Sequence, residues 1–104
     1  MKDMAEVSID ELQRAVEGMH IGKAKLVQSV PVHESHGGAT VWDGVVHVFD
    51  IAGNSNATRA YAWSSPIDGS AKRRFFAVLH IPPVDSPLAA VRAAIVAEHR
   101  ANSK

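Results

Sequence analysis

Residues 58 to 64 alternate between small and large side chains without a break. Thr58, Ala60, Ala62 and Ser64 fall on one parity, and Arg59, Tyr61 and Trp63 on the other. Successive side chains of a strand point to opposite faces, so this pattern predicts a strand over 57–65 with one slim face and one broad aromatic face. The slim face suits a closely packed, Ala-rich helix. The aromatic face needs a cover of its own.

The rest of the chain supplies the partners. Ser8-Ile9-Asp10-Glu11 matches a capping box, in which the Ser8 hydroxyl takes the Glu11 amide and the Glu11 carboxylate reaches back to Ser8. Val7 and Leu12 fit the accompanying hydrophobic staple. Ile9, Leu12, Val16 and Met19 recur at helical spacing, and Gly18 or Gly22 is expected to close the helix in a left-handed cap. Residues 23–35 read as a strand, placed at a sheet edge by Pro31, which has no amide hydrogen. Glu34 to Gly38 reads as a loop. Residues 39–51 form the strongest strand. Val45 to Phe49 is apolar on both parities around His47, which predicts a central strand covered on both sides. Asp43-Gly44 is a candidate bulge within it, and Gly53 to Asn56 a turn. After a turn at Ser65-Pro66-Ile67-Asp68-Gly69, residues 72–81 give a fourth strand. Pro82-Pro83 ends it. Ser86 as N-cap and Pro87 as first helical residue open a second helix, lined by Leu88, Val91, Ala94 and Ile95.

The order is helix, four strands, helix, and the loops between strands are short enough for antiparallel neighbours. The expected fold is α+β: a helix–four-stranded antiparallel sheet–helix arrangement (αββββα), with both helices on one face of the sheet. A length of 104 residues gives a single domain over 1–104, with 1–6 and 101–104 as flexible ends. A chain of this size buries about 65% of its unfolded surface, enough for a core without staples. It has no cysteine, which excludes disulfides, thiolate metal sites and cysteine nucleophiles. No apolar run approaches the ~20 residues of a membrane span, and no apolar segment follows the polar N-terminus. The expectation is a cytoplasmic protein without a membrane partner. Its Ala and Val content fits a high-GC bacterial gene.

With both helices on the slim side, the aromatic side stays open. Arg59, Tyr61 and Trp63 lie there, joined by His47 and Phe49 if the second strand pairs in the matching parity. A one-residue slip reverses that parity. Such a patch is unusually apolar for a monomer. It reads as an interface for a second copy, as the wall of a small-ligand pocket, or as a stacking platform for single-stranded nucleic acid. A terminus folded over it is the plain alternative. A homodimeric binding module is the leading expectation, with a small-molecule partner next. Nucleic acid, through Arg59, Arg73, Arg74 and the aromatics, comes last, because 11 Lys+Arg against 11 Asp+Glu leave no net charge to attract a polyanion. The element order resembles that of double-stranded RNA-binding domains, but the basic helix start and basic loop those domains use are absent here.

Chemistry is thinly marked. No phosphate loop, dinucleotide fingerprint or nucleophile elbow occurs, and no cofactor is expected. His47 is the candidate acid/base of a small enzyme, with Asp50 or Arg59 as its partner. A satisfied core or interface histidine is the commoner role. His33 and His36 are weak metal candidates. In an extended chain they point to opposite faces, and a solvated loop is the plainer reading. Lys72-Arg73-Arg74 is the one basic run, read as a solvated edge that deters strand pairing rather than as a phosphate site. Ser64 and Ser65, beside Trp63, are pocket candidates or simply turn residues.

Overall fold

A computed structural model describes residues 8–67 and 69–102. Its elements are α1 (Ile9–Met19), β1 (Lys23–His36), β2 (Ala39–Ala52), β3 (Arg59–Pro66), β4 (Arg73–Leu79) and α2 (Pro87–Asn102). The strands form one antiparallel meander, in the order β1-β2-β3-β4. The α+β class and the helix–strands–helix order are those expected. The N-terminal stretch 1–6, Val7 of the staple, Asp68 and residues 103–104 lie outside the described residues. Residues 101 and 102 continue α2. Among the described residues, no helix is long and apolar enough to cross a membrane.

Local chemistry sets the helix starts. Ser8 Oγ accepts from the Glu11 amide at 3.1 Å, and Glu11 Oε1 accepts from the Ser8 amide at 3.3 Å, which completes the capping box. Ser86 Oγ accepts from the Ala89 amide at 3.1 Å and caps α2 in the same way. The end of α1 differs from expectation. Its C-cap is His20, with an extended backbone, and neither Gly18 nor Gly22 makes a left-handed cap. Two tethers replace that cap. His20 Nε2 donates to the Ala77 carbonyl at 2.9 Å, and Glu17 Oε2 accepts from the Ala24 amide at 2.7 Å.

The β1–β2 hairpin is longer than the sequence pattern indicated. Pairing continues to His36 and Ala39, so Gly37 and Gly38 alone make the turn, at φ of 60° and 83°. Both values need residues without a Cβ penalty, and the glycines pair the strands where a five-residue loop was expected. Asp43 and Gly44 pair regularly with His33 and Val32, so they form no bulge. The register shifts instead between Leu26 and Gln28 and between Glu34 and Ser35. Gly44 serves packing. A Cβ there would stand 2.9 Å from Cη2 of Trp42, whose indole lies across it. Pro31 is on the edge strand β1, as its missing amide hydrogen requires.

The helices lie on opposite faces of the sheet, which corrects the expectation of one shared face. Cross-strand partners share a face, and the register aligns Phe49 with Ala60 and Leu79, and Val48 with Tyr61 and Val78. Leu12 and Val16 of α1 pack on the first set, with Phe49, Ala60 and Ala62. Ala90 and Val91 of α2 pack on the second, with Val46, Val48, Tyr61 and Trp63. The slim stripe of β3 thus receives α1 rather than the Ala-rich α2. The cause is volume. Phe49 already fills the space beside Ala60, and the remaining room fits the Leu12–Val16 stripe. Two cores result, one on each side of β2 at Val46, Val48 and Phe49, while Val45 stays 46% exposed.

Candidate functional site

The expected aromatic patch does not exist as one open surface. Arg59, Tyr61 and Trp63 share a face, but Phe49 and His47 pair with Ala60 and Ala62 and lie on the other. Tyr61 and Trp63 are each only 3% exposed, because α2 folds over them. Phe49 is wholly buried beneath α1. The expected set is therefore split between the two faces of the sheet.

His47 likewise does not meet its expected partners. Asp50 follows three positions later on the same strand, so the two side chains project to opposite faces. Asp50 faces Arg59 and accepts from Nε and Nη2 at 3.2 and 3.1 Å. His47 is hydrogen-bonded to Ser29 across the β1–β2 pair, with 2.7 Å between Nδ1 and Oγ. Burial pulls its pKa below the ordinary histidine value. A Ser–His contact of this kind can activate a hydroxyl, but no third side chain orients the imidazole among the described residues. His33 pairs with Asp43 at 3.8 Å, both exposed. The side chain of His36 lies outside the described residues. Among those described, no three metal-binding side chains converge.

The basic run is divided. Arg73 donates to Ser64 Oγ at 2.9 Å, and Arg74 forms an ion pair with Glu98 of α2. Neighbours on a strand face opposite ways, so these cations make no common patch. Arg59, Arg73 and Arg74, the arginines of the nucleic-acid reading, each already have a partner within the chain.

Clefts open among the described residues, two of them beside the expected site residues. One is polar, about 390 Å³ in volume, and lined by Asp50, Ile51, Thr58, Arg59 and His80. Beneath it Tyr61 Oη lies 2.5 Å from His80 Nδ1. The direction of this bond follows the His80 tautomer: a donating O–H pairs with a neutral ring whose hydrogen is on Nε2. Burial raises the Tyr61 pKa, Arg59 opposes that shift and Asp85 adds to it. The phenol therefore stays protonated. Arg59 and Asp50 neutralise each other here, so the cleft presents no net charge to a ligand.

The second cleft is aromatic. β2 and β3 pair only from His47 to Asp50, and beyond Ala62 the two hairpins separate. Side chains close the gap. Trp42 meets Trp63 edge to face, at 5.9 Å and 73°. Trp63 stacks on Phe76 at 5.2 Å and 9°. Val91, Ala94 and Ile95 of α2 form the opposite wall, and Ser65, Arg74 and Glu98 supply its polar groups, around a volume of about 160 Å³. The Arg74 guanidinium lies 5.0 Å from the Phe76 ring centroid. Of the slot's residues, Trp63, Ser65 and Arg74 are singled out by the sequence. Trp42, Phe76 and Glu98 are not. The turn after Pro66 signals the β3–β4 pairing that sets Phe76 beside Trp63. No local pattern signals the approach of Trp42 or Glu98, which comes from the end of β2 and from α2. No protein-family model, curated protein or solved structure matches the chain.

Proposed function

We propose that this protein binds a small planar molecule, taking one aromatic ring into the slot between Trp42, Trp63 and Phe76. The carrying observation is the slot itself: a half-open space of about 160 Å³ between aromatic and aliphatic walls, with polar groups from three of its lining residues. An engineered apolar cavity of about 150 Å³ takes up benzene, so the space is large enough for one ring. Each aromatic contact adds roughly 0.5–1.5 kcal/mol beyond burial. The slot offers such contacts from three rings.

This reading moves the partner from a second copy to a small molecule. The surface expected to hold a second copy is occupied by the chain's own α2. The acid/base reading of His47 has lost Asp50 and Arg59 and retains only Ser29.

Benzamide, an uncharged single ring, tests the proposal. Titration followed by the indole N–H resonances of Trp42 and Trp63 should show saturable shifts. Ile95→Phe, which fills the slot from the helix side, should abolish them while leaving the far-UV circular dichroism unchanged. Indole resonances that stay fixed to the solubility limit of benzamide would overturn the proposal.

A further inference from the structure

The ion pair beside the slot has a second role. Arg74, Phe76, Ala94 and Glu98 line not only the aromatic slot but also a neighbouring cleft of about 540 Å³, which continues past Met19 and Ala97. The Arg74–Glu98 contact therefore stands as a bar between two cavities. Both side chains are half exposed, at 54% and 44%. Pairs so exposed contribute little to folding and are readily exchanged.

The bar is also incompletely bonded. Glu98 is held through a single Nη1 contact, whereas a guanidinium offers five N–H groups in a planar fork. The Arg74 Cζ lies over the Phe76 ring, 5.0 Å from its centroid, which favours the cation at this place. Arg73, the adjacent cation, is turned to the opposite face and held by Ser64. Arg74 is thus the one cation among the described lining residues of the slot.

We infer that the ligand is an aromatic carboxylate, whose ring enters the slot and whose carboxylate replaces that of Glu98 on Arg74. The inference rests on the slot reading above and adds the charge of the ligand to it. A free carboxylate can take two N–H groups of the fork where Glu98 takes one, so the exchange favours the ligand. Displaced from Arg74, Glu98 returns to solvent, and the two cavities join. A substituent on the ring then has room towards Met19 and Ala97.

Benzoate and benzamide have nearly the same shape and differ in charge, which makes them the probes. Both are titrated against the wild type, Glu98→Gln and Arg74→Gln by the indole resonances. In Glu98→Gln, benzoate should bind roughly tenfold to a hundredfold more tightly than benzamide, the range of a charge-assisted contact. Wild type should show the same preference at smaller size, because Glu98 competes. Arg74→Gln should make the two probes equal, and added salt should weaken benzoate alone. Equal binding of both probes to wild type and to Glu98→Gln overturns the carboxylate and leaves the slot standing. No binding of either probe to any variant overturns the slot, and this inference with it.

Discussion

Trp63 lies flat against Phe76, with ring centroids 5.2 Å apart and planes 9° from parallel. The pair joins β3 to β4 at the point where β2 has ceased to pair with β3. It supports α2 from below and forms the floor of the slot.

The stack should therefore matter to stability as well as to binding. Trp63→Ala should cost about 3–5 kcal/mol, the range for deleting a buried aromatic. Phe76→Leu keeps most of the volume and should cost about 1 kcal/mol, close to the worth of the ring contact. Urea denaturation gives both values. A Trp63→Ala loss below that of Phe76→Leu would mean the indole is not seated as described.

Gly22 should tolerate no side chain. Its φ is 132°, and a Cβ there would meet Ile51 Cγ2 at 2.5 Å and the Ala52 carbonyl at 2.7 Å. One obstacle is backbone and cannot swing aside. Gly22→Ala should cost roughly 2–4 kcal/mol, from backbone strain and overpacking together. Gly18→Ala, with nothing within 4 Å, is the control. It should be neutral or stabilising, since alanine favours a helix by roughly 1 kcal/mol over glycine.

The Tyr61–His80 contact makes a spectroscopic prediction. With the Tyr61 hydroxyl donating to Nδ1, neutral His80 carries its hydrogen on Nε2. Nitrogen-15 correlation spectra at mildly alkaline pH should show Nδ1 as the unprotonated nitrogen. Tyr61→Phe removes the donor and should mix the tautomers, at a cost of about 1 kcal/mol in stability. A pure Nδ1–H form in the wild type would reverse the assignment.

His47 should make stability fall on mild acidification. Burial lowers its folded pKa below the ordinary 6.5. Between the two values the unfolded chain binds the proton first, so stability declines as pH drops below 6.5 and levels off below the folded pKa. Above 6.5 the residue adds no slope. Urea midpoints at about pH 7.5 and about pH 5.5, on either side of the ordinary histidine pKa, should differ more for the wild type than for His47→Gln. Equal differences would show that His47 is not the group responsible.

Much of this fold was legible in the residues. Ser8 and Glu11, and Ser86 with Pro87, fixed two helix starts through bonds that span only three positions. The alternation around Tyr61 fixed a strand with two unlike faces. Val45 to Phe49, apolar on both parities, already called for cover on both sides of β2. That requirement is incompatible with both helices on one face, and it holds for Val46, Val48 and Phe49, whereas Val45 stays exposed. Gly37-Gly38 is a turn pair by composition, but the polar residues that flank it hide the strand ends that pair across it.

The features readable from the residues are therefore local: which segments are helix or strand, where the helices begin, and that β3 has a slim side and a broad side. Only the tertiary structure decided the pairing parity between β2 and β3, which set Phe49 beside Ala60 and moved His47 away from Tyr61. Side chains alternate with period two, so one residue of slip exchanges every partner without changing any local preference. The choice is made by volumes that must fit together across distant segments. Large Phe49 lies against small Ala60 and beneath Leu12 and Val16, while α2 closes over Tyr61 and Trp63. The same cause left the slot open, because among the described residues Trp42, Trp63 and Phe76 bridge the parting of the two hairpins without filling it.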